Sequence, residues 1–261
     1  MKGPAGVMAL VLAETAAGGA GLLFLTPLWR EVKRGFFYLV GSIVLLLAGG
    51  AAGAAAAGYD PAISGGHFAV ALSVGLAAGT LLWLLLMVAK LHQPARAIGV
   101  LTVPLAIAML FAFARTADES VGLSFFQLFA GAAFTGAVLD GLLLGHWYLT
   151  DRKLPRGPIN RMAWILVGAV ALELAAVLAG GVGTSSSVAT GNSFNPLLSM
   201  SGSATLIAVG MVACTGLIAV FIRLTLRGAR PTAVQSATGF FYLAVITAFT
   251  AELAAKIRFL P

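Results

Sequence analysis

The sequence predicts an all-α fold, a polytopic membrane helical bundle with eight transmembrane helices, and three observations predict it. Of 261 residues, 60% are hydrophobic and only 10% are charged, whereas a soluble domain carries about 25% charged residues. Eight apolar runs reach the ~20 residues that a helix needs to cross a bilayer. The third observation is where the cations fall: Arg30, Lys33, Arg34, Lys90, Arg96, Arg152, Lys153, Arg156, Arg161, Arg223, Arg227 and Arg230 all lie in or beside the connections after runs 1, 3, 5 and 7. By the positive-inside rule those connections are cytoplasmic, which puts the N- and C-termini outside and the chain in a prokaryotic plasma membrane.

The runs cover roughly residues 6–28, 36–58, 67–90, 97–114, 122–149, 162–182, 203–226 and 234–256. The first follows Lys2 and is interrupted by Glu14, which makes it too long and too polar for a cleaved signal peptide, so an uncleaved span is expected. Ala17, Gly18 and Gly21 share the face of Glu14, so the acid points into the bundle. The second and third runs carry Gly49-xxx-Gly53 and Gly75-xxx-Gly79, a pattern that lets helix backbones approach closely. The fourth contains Pro104, the one proline deep inside a span.

The fifth run carries Asp140, Gly141-xxx-Gly145 and His146, and the sixth carries Glu173 with Ala169, Ala176 and Gly180 on its face. Cys214, in the seventh, is the chain's single cysteine and excludes both an intrachain disulfide and a Cys-based metal or cluster site. The eighth holds Glu252 and Lys256 at the i,i+4 spacing of a local ion pair. Between runs 6 and 7, Gly183 to Ser203 is long and rich in Gly, Ser, Thr and Asn, and is read as an outer cap or a docking surface.

The chain reads as a single transmembrane domain, 1–261, with a weak internal repeat of 1–120 on 121–261. Gly21 to Lys33 lines up with Gly141 to Lys153, and Gly75 to Arg96 with Gly210 to Pro231, which predicts two parallel four-helix units. A competing match, Gly35-Phe-Phe-Tyr-Leu with Gly239-Phe-Phe-Tyr-Leu, pairs runs 2 and 8. The net charge of +7 is mostly this orientation signal, so nucleic acid is not an expected partner and membrane lipid is.

An ionisable side chain at bilayer depth costs at least ~2.5 kcal/mol, and such residues are kept for proton, ion, quinone or partner-charge sites. Glu14, Asp140, Glu173 and Glu252 are the four candidates, with Glu252 the most easily explained by its neighbour Lys256. His146 lies six residues beyond Asp140, about 120° around the helix, where the two could flank a quinone cavity or a proton path. Of the three histidines only His92 and His146 could meet, and because His92 falls in the connection Lys90-Leu-His-Gln-Pro-Ala-Arg96, a bis-His haem is not expected. No metal ligand set is recognisable.

The segment His92-Gln-Pro-Ala-Arg96-Ala is similar to a His…Pro-x-Arg-Ala segment in the quinol-reactive membrane anchor subunits of the dimethyl sulfoxide reductase and polysulfide reductase type, although it is shorter here and follows the third span. That resemblance implies two four-helix bundles, menaquinol bound without haem, His92 and Arg96 at the quinol, and electrons passed to an iron–sulfur subunit.

Three functions compete at this point. The first is a quinone-interacting subunit of a respiratory electron-transfer complex, using menaquinone or ubiquinone and iron–sulfur or cytochrome partner subunits. Such a subunit is at most a quinol-oxidising part of an oxidoreductase, with Glu14, Asp140, His146, Glu173, His92, Arg96 and Glu252 in its quinone pocket or proton path. The second is a proton-coupled secondary transporter, and the third a structural or assembly subunit.

Overall fold

A computed structural model of the chain describes residues 3–60, 65–117, 120–151, 153–180, 203–228, 230 and 232–257. Among these, every regular element is a helix: α1 (Gly3–Leu25), the short α2 (Leu28–Glu31), α3 (Arg34–Ala57), α4 (Gly66–Val88), α5 (His92–Ala114), α6 (Val121–Thr150), α7 (Gly157–Ala179), α8 (Ser203–Arg227) and α9 (Ala233–Ile257). Eight of them are long and apolar enough to cross a membrane, so the protein is an all-α integral membrane bundle. Of the predicted outer segment Gly183 to Ser203, all but Ser203 lies outside the described residues.

Local chemistry explains where the helices begin and end. Pro27 has no N–H to continue α1 and stands as the N-cap of α2. The fourth span starts at His92 and not near residue 97, because Pro94 falls in the first turn, where a missing N–H is no loss. The turn before it places Lys90 at φ 61°, the one positive-φ non-glycine residue described, and closes with a bond from Leu91 N–H to the Leu86 carbonyl. Ser120 caps α6 by accepting from the Leu123 N–H at 3.4 Å.

The long helices pack as two rings in chain order. α1, α3, α4 and α5 close one ring; α6, α7, α8 and α9 close the other; and α1 packs against α6 between them. These two central helices are the most buried of the eight. Their backbones touch at Gly18 and Gly136: a methyl group on either would strike the other helix's backbone. Gly141 and Gly145 similarly make room for Phe241 and Thr238 of α9. Gly75 and Gly79 face Leu105 and Thr102 of α5, whereas Gly49 and Gly53 are exposed with open space before them.

At the basic end, aromatic rings pack beneath a belt of paired charges. Trp29 meets Phe37 edge-on at 4.6 Å, and Phe24 meets Trp83 at 5.0 Å. Arg161 grips Glu31 with two bonds of 2.7 and 2.8 Å, and Lys33 lies 3.0 Å from Asp151. Arg156 donates to the Gly228 and Arg230 carbonyls, tying the start of α7 to the turn before α9. The guanidinium of Arg161 holds the Glu31 carboxyl below its ordinary range.

Candidate functional site

Residues Ala13 to Ala20 of α1 are all buried, because α1 is surrounded by α3, α5, α6 and α9. Glu14 falls in the middle of this stretch with no exposed surface. Its Oε1 lies 2.8 Å from Nζ of Lys256, which in turn lies 3.1 Å from Oε2 of Glu252. Glu173 of α7 completes the group: its buried carboxyl interacts electrostatically with Glu252 and Lys256. Three acids and one lysine, drawn from α1, α7 and α9, thus form one cluster with at most 2% of any member exposed.

Helix geometry explains how a lysine one residue from the end of α9 reaches this depth. Side chains tilt toward the N-terminus of their own helix, so Lys256 points back along α9 to Glu252 and carries its ammonium inward. The fourth wall is α6, where Gly131 faces the carboxyls. A methyl group there would lie 2.6 Å from Glu14 Oε1 and 3.0 Å from Glu252 Oε2, so glycine leaves the space the acids occupy. Ser124, two turns earlier on the same stripe of α6, is buried with its hydroxyl Oγ lacking a partner among the described residues.

Charge balance sets the chemistry. One ammonium neutralises one carboxylate, so a neutral cluster requires the other two carboxyls to hold protons or another cation; two unbalanced charges at this depth would cost several kcal/mol each. Glu14 Oε2 and Glu173 Oε2 have no hydrogen-bond partner among the described residues. A carboxyl oxygen accepts when ionised and donates when protonated.

The other sequence candidates lie elsewhere. Asp140 is fully buried, with neither oxygen hydrogen-bonded among the described residues, and it projects from the opposite side of α6 toward Gly19 of α1. His146 has different surroundings. The imidazole is exposed on the bundle's outer face, where Nδ1 is 3.1 Å from the Tyr242 hydroxyl of α9. The six-residue spacing turns the two side chains about 120° apart, Asp140 toward α1 and His146 toward Tyr242 of α9. His92 and Arg96 lie at the basic end, with His92 Nδ1 buried and unpartnered among the described residues. No group of three or more His, Cys, Asp or Glu able to hold a metal occurs among the described residues.

Three features were missed at the level of sequence. Lys256 reads only as the local partner of Glu252, itself one of the four candidate acids, whereas packing of α9 against α1 and α6 buries both in the site. Gly131 carried no signal beyond its small neighbours, Ala130 and Ala132. Tyr242 was visible only as part of the Gly239-Phe-Phe-Tyr-Leu match.

Comparison of the chain with family models, with curated proteins and with solved structures returned no match.

Proposed function

We propose that this integral membrane protein couples proton binding and release within the bilayer to transport, with Glu14, Glu173, Glu252 and Lys256 as the exchange site. The single observation that carries the reading is the imbalance of three carboxyls against one lysine in a fully buried cluster. A structural ion pair needs one acid per base. A surplus of acids at this depth is what a site that loads and unloads protons requires.

In the orientation set by the positive-inside rule, the basic end faces the cytoplasm and both termini lie outside. The cluster then occupies the outer half of the membrane, and Asp140 lies deeper, as a second protonatable group on the far side of α6. The test is proton flux in liposomes holding the purified protein and a pH-sensitive dye, driven by an imposed gradient. Wild type is expected to pass protons, and Glu14→Gln with Glu173→Gln to abolish the flux. Equal flux in wild type and variant would defeat the reading.

A second reading rests on His92, whose buried, unpartnered Nδ1 beside Arg96 is a hydrogen-bonding group of the kind a quinone carbonyl takes. In that setting the protein is a quinone-interacting subunit, the cluster feeds its proton path, and the partners are iron–sulfur or cytochrome subunits with menaquinone or ubiquinone. Purification from native membrane decides it: co-eluting quinone and a redox subunit favour it, and isolation of the chain alone with ion-dependent uptake favours transport.

A further inference from the structure

At the basic end, Arg30 of α2 and Arg96 near the start of α5 line one pocket of about 270 Å³, together with Phe24, Leu25, Trp29 and Val100. Several nearby cations are engaged: Lys33, Arg156, Arg161 and Arg223 each hold a carboxylate, a carbonyl or an amide oxygen. Arg30 and Arg96 have no ion-pair or hydrogen-bond partner among the described residues. Two guanidiniums that converge on one pocket without a carboxylate between them leave a site complementary to an anion, and their planar forks suit the oxygens of a phosphate.

The pocket continues into the membrane. Leu25 also lines an apolar groove of about 120 Å³ that climbs the α1–α5 seam past Gly21 and Ala17 on one side and Val103 and Ile107 on the other, with Phe129 of α6 behind. The residues alternate one helical turn at a time along both helices, and Leu25 and Ile107 are 72% and 42% exposed on the lipid side. Cationic mouth and apolar groove together describe an amphiphile lying along the helices with an anionic head toward the basic end.

We infer that the α1–α5 seam binds an anionic phospholipid, its phosphate between Arg30 and Arg96 and one acyl chain in the groove between Ala17 and Leu25. Charge complementarity selects the anionic headgroup, and the continuity of the cationic pocket with the apolar groove through their shared Leu25 selects a lipid over a soluble anion. The inference does not depend on the proton site.

The test uses the purified full chain in mixed micelles of phosphatidylglycerol and phosphatidylcholine, with native mass spectrometry to read the lipid retained. Wild type is expected to keep phosphatidylglycerol preferentially. Arg30→Gln with Arg96→Gln is expected to lower that preference about tenfold, as the loss of two cationic contacts to one phosphate implies. Lys153→Gln, an exposed cation at the same end but outside the pocket, is expected to leave it unchanged. Gly21→Leu keeps both arginines and fills the groove, since a Cβ at Gly21 meets open space, and is expected to release the lipid as well. The inference is overturned by undiminished preference in the double arginine variant, by an equal loss in Lys153→Gln, by retention of a quinone in place of phospholipid, or by inorganic phosphate alone displacing the lipid completely.

Discussion

Replacing Lys256 by Met removes the one cation from the buried cluster while keeping the length and packing of the side chain. Its ammonium lies 2.8 Å from Glu14 and 3.1 Å from Glu252, and neither pair has more than 2% of its side-chain surface exposed. Each contact is worth on the order of 5 kcal/mol of raw attraction at an effective dielectric of about 20. Desolvation of the ions takes back much of this, and breaking one side of a buried pair typically costs about 3–5 kcal/mol. For a chain of this size that lowers the melting temperature by roughly 6–20 °C. The assay is thermal unfolding in lipid nanodiscs, comparing Lys256→Met with a variant that also carries Glu14→Gln and Glu252→Gln. The combined variant should recover much of the loss, because neutral amides leave no uncompensated charge. Wild-type stability in Lys256→Met, or no recovery in the combined variant, would refute the argument that the cluster's charges are coupled.

Gly131→Ala pushes a methyl group to 2.6 Å from Glu14 Oε1 and should destabilise by about 1–3 kcal/mol, with part of the loss restored by the shorter acid in Glu14→Asp; paired melting curves check it. Glu31 is held below its ordinary range by Arg161, so its contribution is complete above the unfolded value of about 4.3 and is lost as pH falls through the lower folded value. Because both partners are about a third exposed, that contribution is small, roughly 0.2–1 kcal/mol, and Glu31→Gln should flatten the acid limb of a stability–pH curve without changing the neutral plateau's shape. Lys90→Gly relieves a left-handed residue at φ 61° and should raise the melting temperature by about 2–4 °C, corresponding to about 1 kcal/mol.

The spans were legible because a bilayer demands long apolar runs, a property of contiguous sequence. Their ends were less so: His92 reads as loop until Pro94 is recognised as a first-turn residue. The site was legible only in parts. Glu14 and Glu173 stand out by their small-residue faces, but nothing local joins α1 to α7 and α9. Glu252 found an explanation in the lysine one turn away, and only the packing of α1 and α6 against α9 turned that pair inward. Asp140 and His146 show what one helix leaves open: Asp140 is buried toward α1 while His146 is exposed beside Tyr242 of α9. The aligned segments of the internal repeat meet at the basic end, where Lys33 of one pairs with Asp151 of the other.

The central claim is that the cluster holds exchangeable protons, and infrared difference spectroscopy of the protein in liposomes across an imposed pH gradient tests it most directly. The account predicts a protonated-carboxyl carbonyl band that shifts in heavy water, changes when the gradient is applied, and disappears in Glu14→Gln with Glu173→Gln and Glu252→Gln. A wild-type spectrum that the gradient leaves unchanged, or a band that survives in the triple variant, would contradict it.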